Sequence, residues 1–381
     1  MKILFMVFHF PPISGGGVIV IVELANKLAE LGNDVTILAP KLDWNGEIYN
    51  PSLDSRISII RVETPSRQNM KVAARRCYFS IKEKANELIK DSKYDFILTI
   101  FHPFHLVPKA AVACGQKHNV PVIIKIDDAV YEKSKGLKSI QRRIEKIINS
   151  KTLRKASRIL VSNESTRNLV SKYYKISTDK ISVIPNGVDT GNFYSRMEPS
   201  NQIIFSGVMY YHRGVDVLLE SASTVIQKIP DVQFVLLESG PEMEKLVDFT
   251  KKYSLTKNVK FLGWVDRKQI PEYLAKSAIG IGPLRVTDVT KDALPIKALE
   301  YMASYLPILA TSGTLSPDIL IDGENGFFVK DTNELAEKII YLLQNQNVRS
   351  KMGQKSRDIV EKYDWKIITQ SIIDEYKKCK D

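Results

Sequence analysis

The chain has 381 residues, 44% hydrophobic and 26% charged, with 55 Lys and Arg against 43 Asp and Glu for a formal charge of +12. That apolar content can offset the entropy of ordering, which excludes a disordered or fibrous chain, and the length predicts two or three domains. The three cysteines, Cys77, Cys114 and Cys379, are odd in number and far apart, which suits a reducing compartment and neither a disulfide framework nor a metal cluster.

Ile3 to Phe8 is a nearly continuous apolar run, as expected of a buried parallel strand. It is too short to cross a bilayer, and Pro11-Pro12 follows with no small-residue cleavage site, so neither a spanning segment nor a signal peptide is expected. Next come Ser14-Gly15-Gly16-Gly17, then apolar residues at helical spacing from Val22 to Leu31, a stop at Gly32, and a second strand, Val35 to Leu38. This is a βαβ unit. The pattern recurs with a strand at Phe96–Phe101, a helix at Val107–His118, a strand at Val120–Ile126, and strands at Ile159–Val161 and Ile181–Ile184. Helices are also expected from about Met70 to Lys93 and from Ser139 to Lys155, both basic.

A second α/β series starts after Asn186-Gly187-Val188-Asp189, with strands at Ile203–Phe205, Val232–Leu237, Val259–Gly263, Ile279–Ile281 and Pro307–Ala310. The fold class read from this alternation is α/β, two doubly wound Rossmann-like domains. Trp365, Ile368, Ile372 and Tyr376 share one face of a terminal helix that needs a surface to cover. The charge is unevenly placed. Residues 1–190 hold 30 basic and 18 acidic residues, whereas residues 191–381 hold 25 of each. The excess is densest between Lys133 and Arg158, where ten basic residues accompany one acid, Glu145.

Three segments carry candidate chemistry. Gly15, Gly16 and Gly17 let the backbone approach a ligand, and the following helix N-terminus can meet a phosphate. Their spacing is not the dinucleotide fingerprint, and no Walker-type lysine follows. Gly207 and Tyr210 to Gly214 come just after the first strand of the second half, at the carboxyl edge where open sheets bind ligands, and Arg213 there can grip phosphate oxygens. The stretch Asp288 to Thr311 centres on Asp292 and Glu300, acids eight apart, with Pro295, Ile296 and Lys297 opening a helix between them. Carboxylates so spaced can accept from vicinal hydroxyls, and an ordinary helix with surface acids stays an open alternative. His102 and His105 flank Pro103-Phe104 at the end of a strand; His102 is a candidate functional residue, and His105 reads as loop or packing.

These motifs, taken in order, resemble the retaining nucleotide-sugar glycosyltransferases of the GT-B fold, family 4. The match runs nearly end to end: Phe10-Pro11-Pro12 with Gly15-Gly16, Gly32-Asn33-Asp34-Val35, Ile184 to Asp189, Phe261-Leu262-Gly263, Glu300 to Ala303, Pro307-Ile308, and Asp322 to Gly326. The resemblance implies that the two domains face each other across a cleft. Residues 1–190 would form a mainly acceptor-binding domain and 191–362 a donor-binding domain, with 363–381 a helix returning to the first. Gly15, Gly16 and Gly17 would line the donor sugar and diphosphate. Arg213 would neutralise the leaving diphosphate, with Lys297 as a second cation because Val208 stands where an arginine is common. Asp292 would hold sugar hydroxyls and Glu300 the ribose. Asp127, in Lys125-Ile126-Asp127-Asp128, stands where the family often has a histidine beside the donor sugar, so Asp127 and His102 join Arg213 and Asp292 as catalytic candidates, and His9 would touch acceptor.

The implied reaction moves a sugar from a nucleotide diphosphate sugar to a hydroxyl of a glycan or lipid-linked saccharide, with no cofactor and no metal. The basic first half predicts an anionic acceptor or an anionic membrane surface as partner, and hence a cytoplasmic protein with peripheral attachment to the membrane. A solvated basic face on a cytosolic enzyme remains the alternative. A nucleotide-sugar epimerase of the same architecture and a basic nucleic-acid-binding protein are the competing functions. No zinc-finger, aromatic RNA-binding or helix-turn-helix signature supports the last, so nucleic acid is not an expected partner.

Overall fold

The structure is a computed structural model and describes residues 1–43, 48–64, 70–127, 137–195, 200–287 and 290–379. It divides into two compact units, Met1–Asn186 with Trp365–Asp381, and Gly187–Asp364.

The first unit contains β1 (Lys2–Met6), α1 (Gly16–Glu30), β2 (Asp34–Pro40), β3 (Ile57–Val62), α2 (Met70–Asp91), β4 (Phe96–Ile100), α3 (Val107–His118), β5 (Val122–Ile126), α4 (Leu137–Lys155), β6 (Arg158–Val161), α5 (Glu164–Tyr174) and β7 (Ile181–Val183). The seven strands form a parallel sheet in the order β3-β2-β1-β4-β5-β6-β7. Its central strands are buried on both faces, which explains their unbroken apolar runs. The order reverses direction between β1 and β4, so the loops leaving those two strands lie at the topological switch point. Edge strand β3 was not legible from periodicity. It carries β-branched residues (Ile57, Ile59, Ile60, Val62), but its side chains are half-buried or exposed except Val62, as befits an edge.

The second unit contains β8 (Gln202–Ser206), α6 (Val215–Lys228), β9 (Gln233–Leu237), α7 (Met243–Lys252), β10 (Val259–Gly263), α8 (Ile270–Ala275), β11 (Ile279–Ile281), α9 (Ile296–Ala303), β12 (Ile308–Thr311), β13 (Gly326–Val329), α10 (Thr332–Gln344) and α11 (Gln346–Val360). Its parallel sheet runs β10-β9-β8-β11-β12-β13, with the switch point between β8 and β11. Where the chain enters and leaves this unit, Val188 pairs with Asp364 and its N–H donates to the Tyr363 carbonyl at 3.0 Å.

The last helix, α12 (Trp365–Lys377), belongs to the first unit and packs on α1. Tyr376 stacks on Phe96 with centroids 4.7 Å apart and donates to Asp95 at 3.2 Å, while Ser182 donates to Glu375 at 2.7 Å. The amphipathic face thus finds its surface on α1 and on Phe96 at the start of the central strand β4, with a polar bond to edge strand β7.

Candidate functional site

In the second unit the candidate residues converge at the switch point. β8 ends at Ser206, whose N–H donates to the Tyr301 hydroxyl oxygen at 2.7 Å. Gly207 follows with φ 140°, a conformation that side-chain-bearing residues rarely adopt. The chain then turns through Tyr211–Arg213 into Gly214 (φ 71°), where a Cβ would lie 2.8 Å from Leu284 Cβ. Glycine therefore lets the arginine turn press against the loop leaving β11. That loop fixes the turn in return. Leu284 N–H donates to the Arg213 carbonyl at 3.0 Å, and Arg285 pairs with Asp216, donates to the Tyr211 carbonyl at 3.0 Å and lies 4.1 Å from the Tyr211 ring.

The facing wall is the segment entering α9. Asp292 has φ 48° and its N–H donates to the Gly313 carbonyl at 3.0 Å, while Ala293 is bridged to Leu315. The loop after β12 therefore holds this segment in place. Pro295 occupies the N-cap position and Ile296 starts the helix, so Lys297 is its second residue and Glu300 lies one turn in. Glu300 is buried and receives Arg267 Nη1 on Oε1 at 2.7 Å.

Lys297 reaches back beneath the β8 loop. Its Nζ is sealed from solvent, lacks a hydrogen-bond partner among the described residues, and sits 3.9 Å from the centroid of the Phe205 ring. Burial first, and the neighbouring Arg213 charge second, hold this lysine well below the usual lysine range, with Glu300 acting in the opposite sense. His212 is likewise lowered, by burial and by the charges of Arg213 and Lys297. The site sets the basic groups of Arg213 and Lys297 close together with the Lys297 donor unspent, an arrangement that can accept an oxyanion.

In the first unit, Gly15 is the N-cap residue of α1 (φ 147°), and Gly16 and Gly17 form its first turn rather than a free loop. A Cβ added at any of the three would meet nothing within 4 Å, so this helix start faces open space. Close by in the topology, the loops after β1 and β4 form a histidine cluster. The His102 and His105 rings are stacked 4.2 Å apart, and His9 meets His105 edge-on at 5.0 Å. Burial, then the charge of His102, lowers His9 to about 4, and burial also lowers His102 and, more strongly, His105. All three are therefore neutral imidazoles near pH 7. The clustering of His105 and His9 with His102 was not visible in sequence, because β1 and β4 are far apart in the chain and adjacent only in the sheet.

Asp127 follows β5, and its Oδ1 lies 2.7 Å from the ammonium of the fully buried Lys125, which also donates to the Ile184 carbonyl at 3.2 Å. One oxygen of Asp127 is thus committed to a structural ion pair, and Asp128 lies outside the described residues. Lys125 had a signal, being the lone charge in the apolar strand Val122–Ile126. Arg267 and Arg285 had none, since each acts through a contact that only the tertiary fold creates. Among the described residues no group of three or more His, Cys, Asp or Glu could hold a metal ion, and no helix is long and apolar enough to cross a membrane.

Two family profiles match the chain in tandem: Glycosyltransferase Family 4 over residues 14–192 and Glycosyl transferases group 1 over residues 193–359. An uncharacterised glycosyltransferase of Haemophilus influenzae is 23% identical, with 96% of each chain covered. Another, from Methanocaldococcus jannaschii, is 26% identical over 56% of this chain and 59% of its own length. Among solved structures, Anabaena HepE in complex with UDP superposes with a TM-score of 0.75 at 14% identity, covering 99% of this chain and 100% of that one. At that identity the likeness speaks to the fold.

Proposed function

The chain belongs to the family 4 glycosyltransferases and transfers a sugar from a nucleotide diphosphate sugar to a glycan or lipid acceptor; from that premise we propose which of its residues do so. Arg213 and Lys297 take the departing diphosphate, Glu300 the ribose, and Asp292 the hydroxyls of the donor sugar. The observation that carries this assignment is the sealed Lys297 Nζ, without a hydrogen-bond partner among the described residues, beside Arg213 at the switch point of the second sheet. Negative charge grows on the leaving diphosphate in the transition state, and preorganised cations lower the barrier most where that charge develops. Anomeric configuration is retained, with the acceptor attacking from the leaving-group side and a phosphate oxygen taking its proton. This route needs no enzymic nucleophile, so it tolerates an Asp127 already engaged by Lys125.

The acceptor falls to the first unit, whose loops after β1 and β4 offer His9 and His102. The excess positive charge of residues 1–190 favours an anionic acceptor, a lipid-linked saccharide carrying phosphate, presented at the cytoplasmic face of a membrane.

The test is a screen of the purified protein against UDP-, GDP- and ADP-sugars for saturable binding and slow donor hydrolysis, starting from UDP because HepE binds it. Arg213→Ala and Asp292→Ala are each expected to weaken the signal at least tenfold, about 1.4 kcal/mol. Undiminished hydrolysis in both variants would place the donor elsewhere. Product analysis by NMR with acceptor present separates transfer from epimerisation.

A further inference from the structure

Helix α4 carries seven basic residues and one acid, yet it also shows solvent an apolar stripe: Ile140, Ile144 and Ile147 are 57%, 54% and 56% exposed at spacings of four and three. A stripe at that spacing normally faces a core. Two residues of the stripe, Ile140 and Ile144, join Phe104, Leu106 and Ile148 in walling a groove of about 410 Å3. The volume lies within the range of pockets that enclose small ligands, roughly 300–1,000 Å3.

The groove is held open by specific contacts. Arg75 on α2 pairs with Glu145 on α4 at 3.1 Å, so the one acid of α4 is already engaged. Asn149 donates to the Pro103 carbonyl at 3.0 Å, and Leu106 N–H donates to the Ala74 carbonyl at 3.1 Å. The turn His102–Leu106 is therefore clamped between α2 and α4. On the far side of Phe104, Arg142, Lys146 and Glu145, the last already paired with Arg75, rim a shallow notch of about 10 Å3 with Tyr173, and the Lys146 ammonium stands 4.0 Å from that ring. A mainly apolar trough thus runs beside a surface notch whose rim carries the two cations Arg142 and Lys146, with Phe104 between them. His102 belongs to the same turn, its ring centroid 5.5 Å from that of Phe104.

We propose that this groove binds the hydrocarbon chain of a phosphorylated lipid-linked acceptor, with Arg142 and Lys146 taking the phosphate and the turn carrying His102 meeting the polar end. The proposal rests on the glycosyltransferase reading and assigns its lipid-linked acceptor a binding groove and a phosphate-facing pair. Charge complementarity selects the occupant. A neutral hydrocarbon makes no use of the two cations of the notch rim, and a soluble anionic glycan leaves Ile140 and Ile144 in water. A chain with an anionic head uses both.

The experiment titrates the full-length protein with farnesyl phosphate below its micelle concentration, against inorganic phosphate and against vesicles of phosphatidylglycerol or phosphatidylcholine. Wild type is expected to bind the monomeric farnesyl phosphate. Ile144→Asp and Ile140→Asp, both at exposed positions that leave folding intact, are expected to lose at least tenfold in affinity, about 1.4 kcal/mol, with nucleotide binding unchanged. Phe79→Asp, on α2 and 76% exposed outside the groove, is expected to change nothing. Equal affinity in the isoleucine variants, equal affinity for inorganic phosphate, or binding to vesicles alone each overturns the proposal. Absence of lipid binding with nucleotide sugars still hydrolysed refutes the groove and leaves the enzyme assignment standing. Lipid binding without any nucleotide-sugar turnover refutes the donor-site assignment and, with it, the lipid's role as acceptor.

Discussion

Lys297→Met separates a binding lysine from a structural one, because the two roles predict opposite signs. In the free protein the Nζ is sealed and has no hydrogen-bond partner among the described residues. A buried polar group without a hydrogen bond costs about 1–3 kcal/mol. Methionine keeps the length of the stem and its cover over Phe205 while removing that cost. The lost ammonium–ring contact at 3.9 Å gives back about 0.5–1 kcal/mol. The variant is therefore expected to be more stable by about 1 kcal/mol, a rise of about 2–4 °C in the melting temperature for a unit of this size. Nucleoside diphosphate affinity moves the other way. Loss of one charge-assisted hydrogen bond is worth about 1.5–3 kcal/mol, roughly ten- to a hundredfold in Kd. Calorimetric melting and titration with UDP, GDP and ADP read both quantities on one preparation. There is also a proton signature. Burial and Arg213 depress Lys297 in the free protein, and a bound diphosphate raises it, so binding takes up a proton and weakens as pH rises through that window. Titration in buffers of different ionisation enthalpy detects the uptake, which disappears in the Met variant. Its stability slope changes too. The unfolded chain binds the lysine proton more tightly, so wild-type stability increases with pH across the same window and the variant lacks that increase. A Met variant that melts lower and binds nucleotide as well as wild type refutes the reasoning.

Arg267→Ala strands the buried Glu300 carboxylate and is expected to cost about 2–3 kcal/mol, less than for pairs buried on both sides because Arg267 is partly solvated; urea melts of the variant and of Arg267→Ala/Glu300→Gln check this, the second change restoring most of the loss. Asp127→Ala leaves Lys125 buried without its counterion and is expected to lose about 3 kcal/mol, and Lys125→Met added to it restores stability. If Asp127 serves only that lysine, transfer activity returns as well; persistent inactivity of the stable double variant assigns Asp127 a contact with the sugar. The histidine cluster predicts acid sensitivity. His9, at about 4, and His105 have folded pKa values below the unfolded value near 6.5, so the unfolded chain takes up their protons first. Stability is then full above about pH 6.5 and falls as pH drops toward 4. Melting temperature against pH is expected to flatten in His9→Asn.

The sequence by itself determined the class of fold, because buried parallel strands such as Ile3–Phe8 and Ile203–Phe205 are continuous apolar runs, and glycines such as Gly15 and Gly207 mark the loops that leave strands. Its ordered motifs also carried the family, and its charge count placed the excess in the half that holds α2 and α4. It did not separate the edge strands β3 and β13, short apolar segments (Ile57–Val62 and Gly326–Val329) whose pairing on one side only is a tertiary fact. Only the tertiary structure decided what each charged residue faces. It set Lys125 against Asp127, Arg267 against Glu300, and Arg285 behind the Arg213 turn, and it left Lys297 sealed without a hydrogen-bond partner among the described residues. It also brought His9 to His105 and aligned the isoleucines of α4 beside Phe104. These pairings depend on which strands are neighbours in a parallel sheet. The switch point joins β1 to β4 and β8 to β11, and no local pattern in the chain encodes that adjacency.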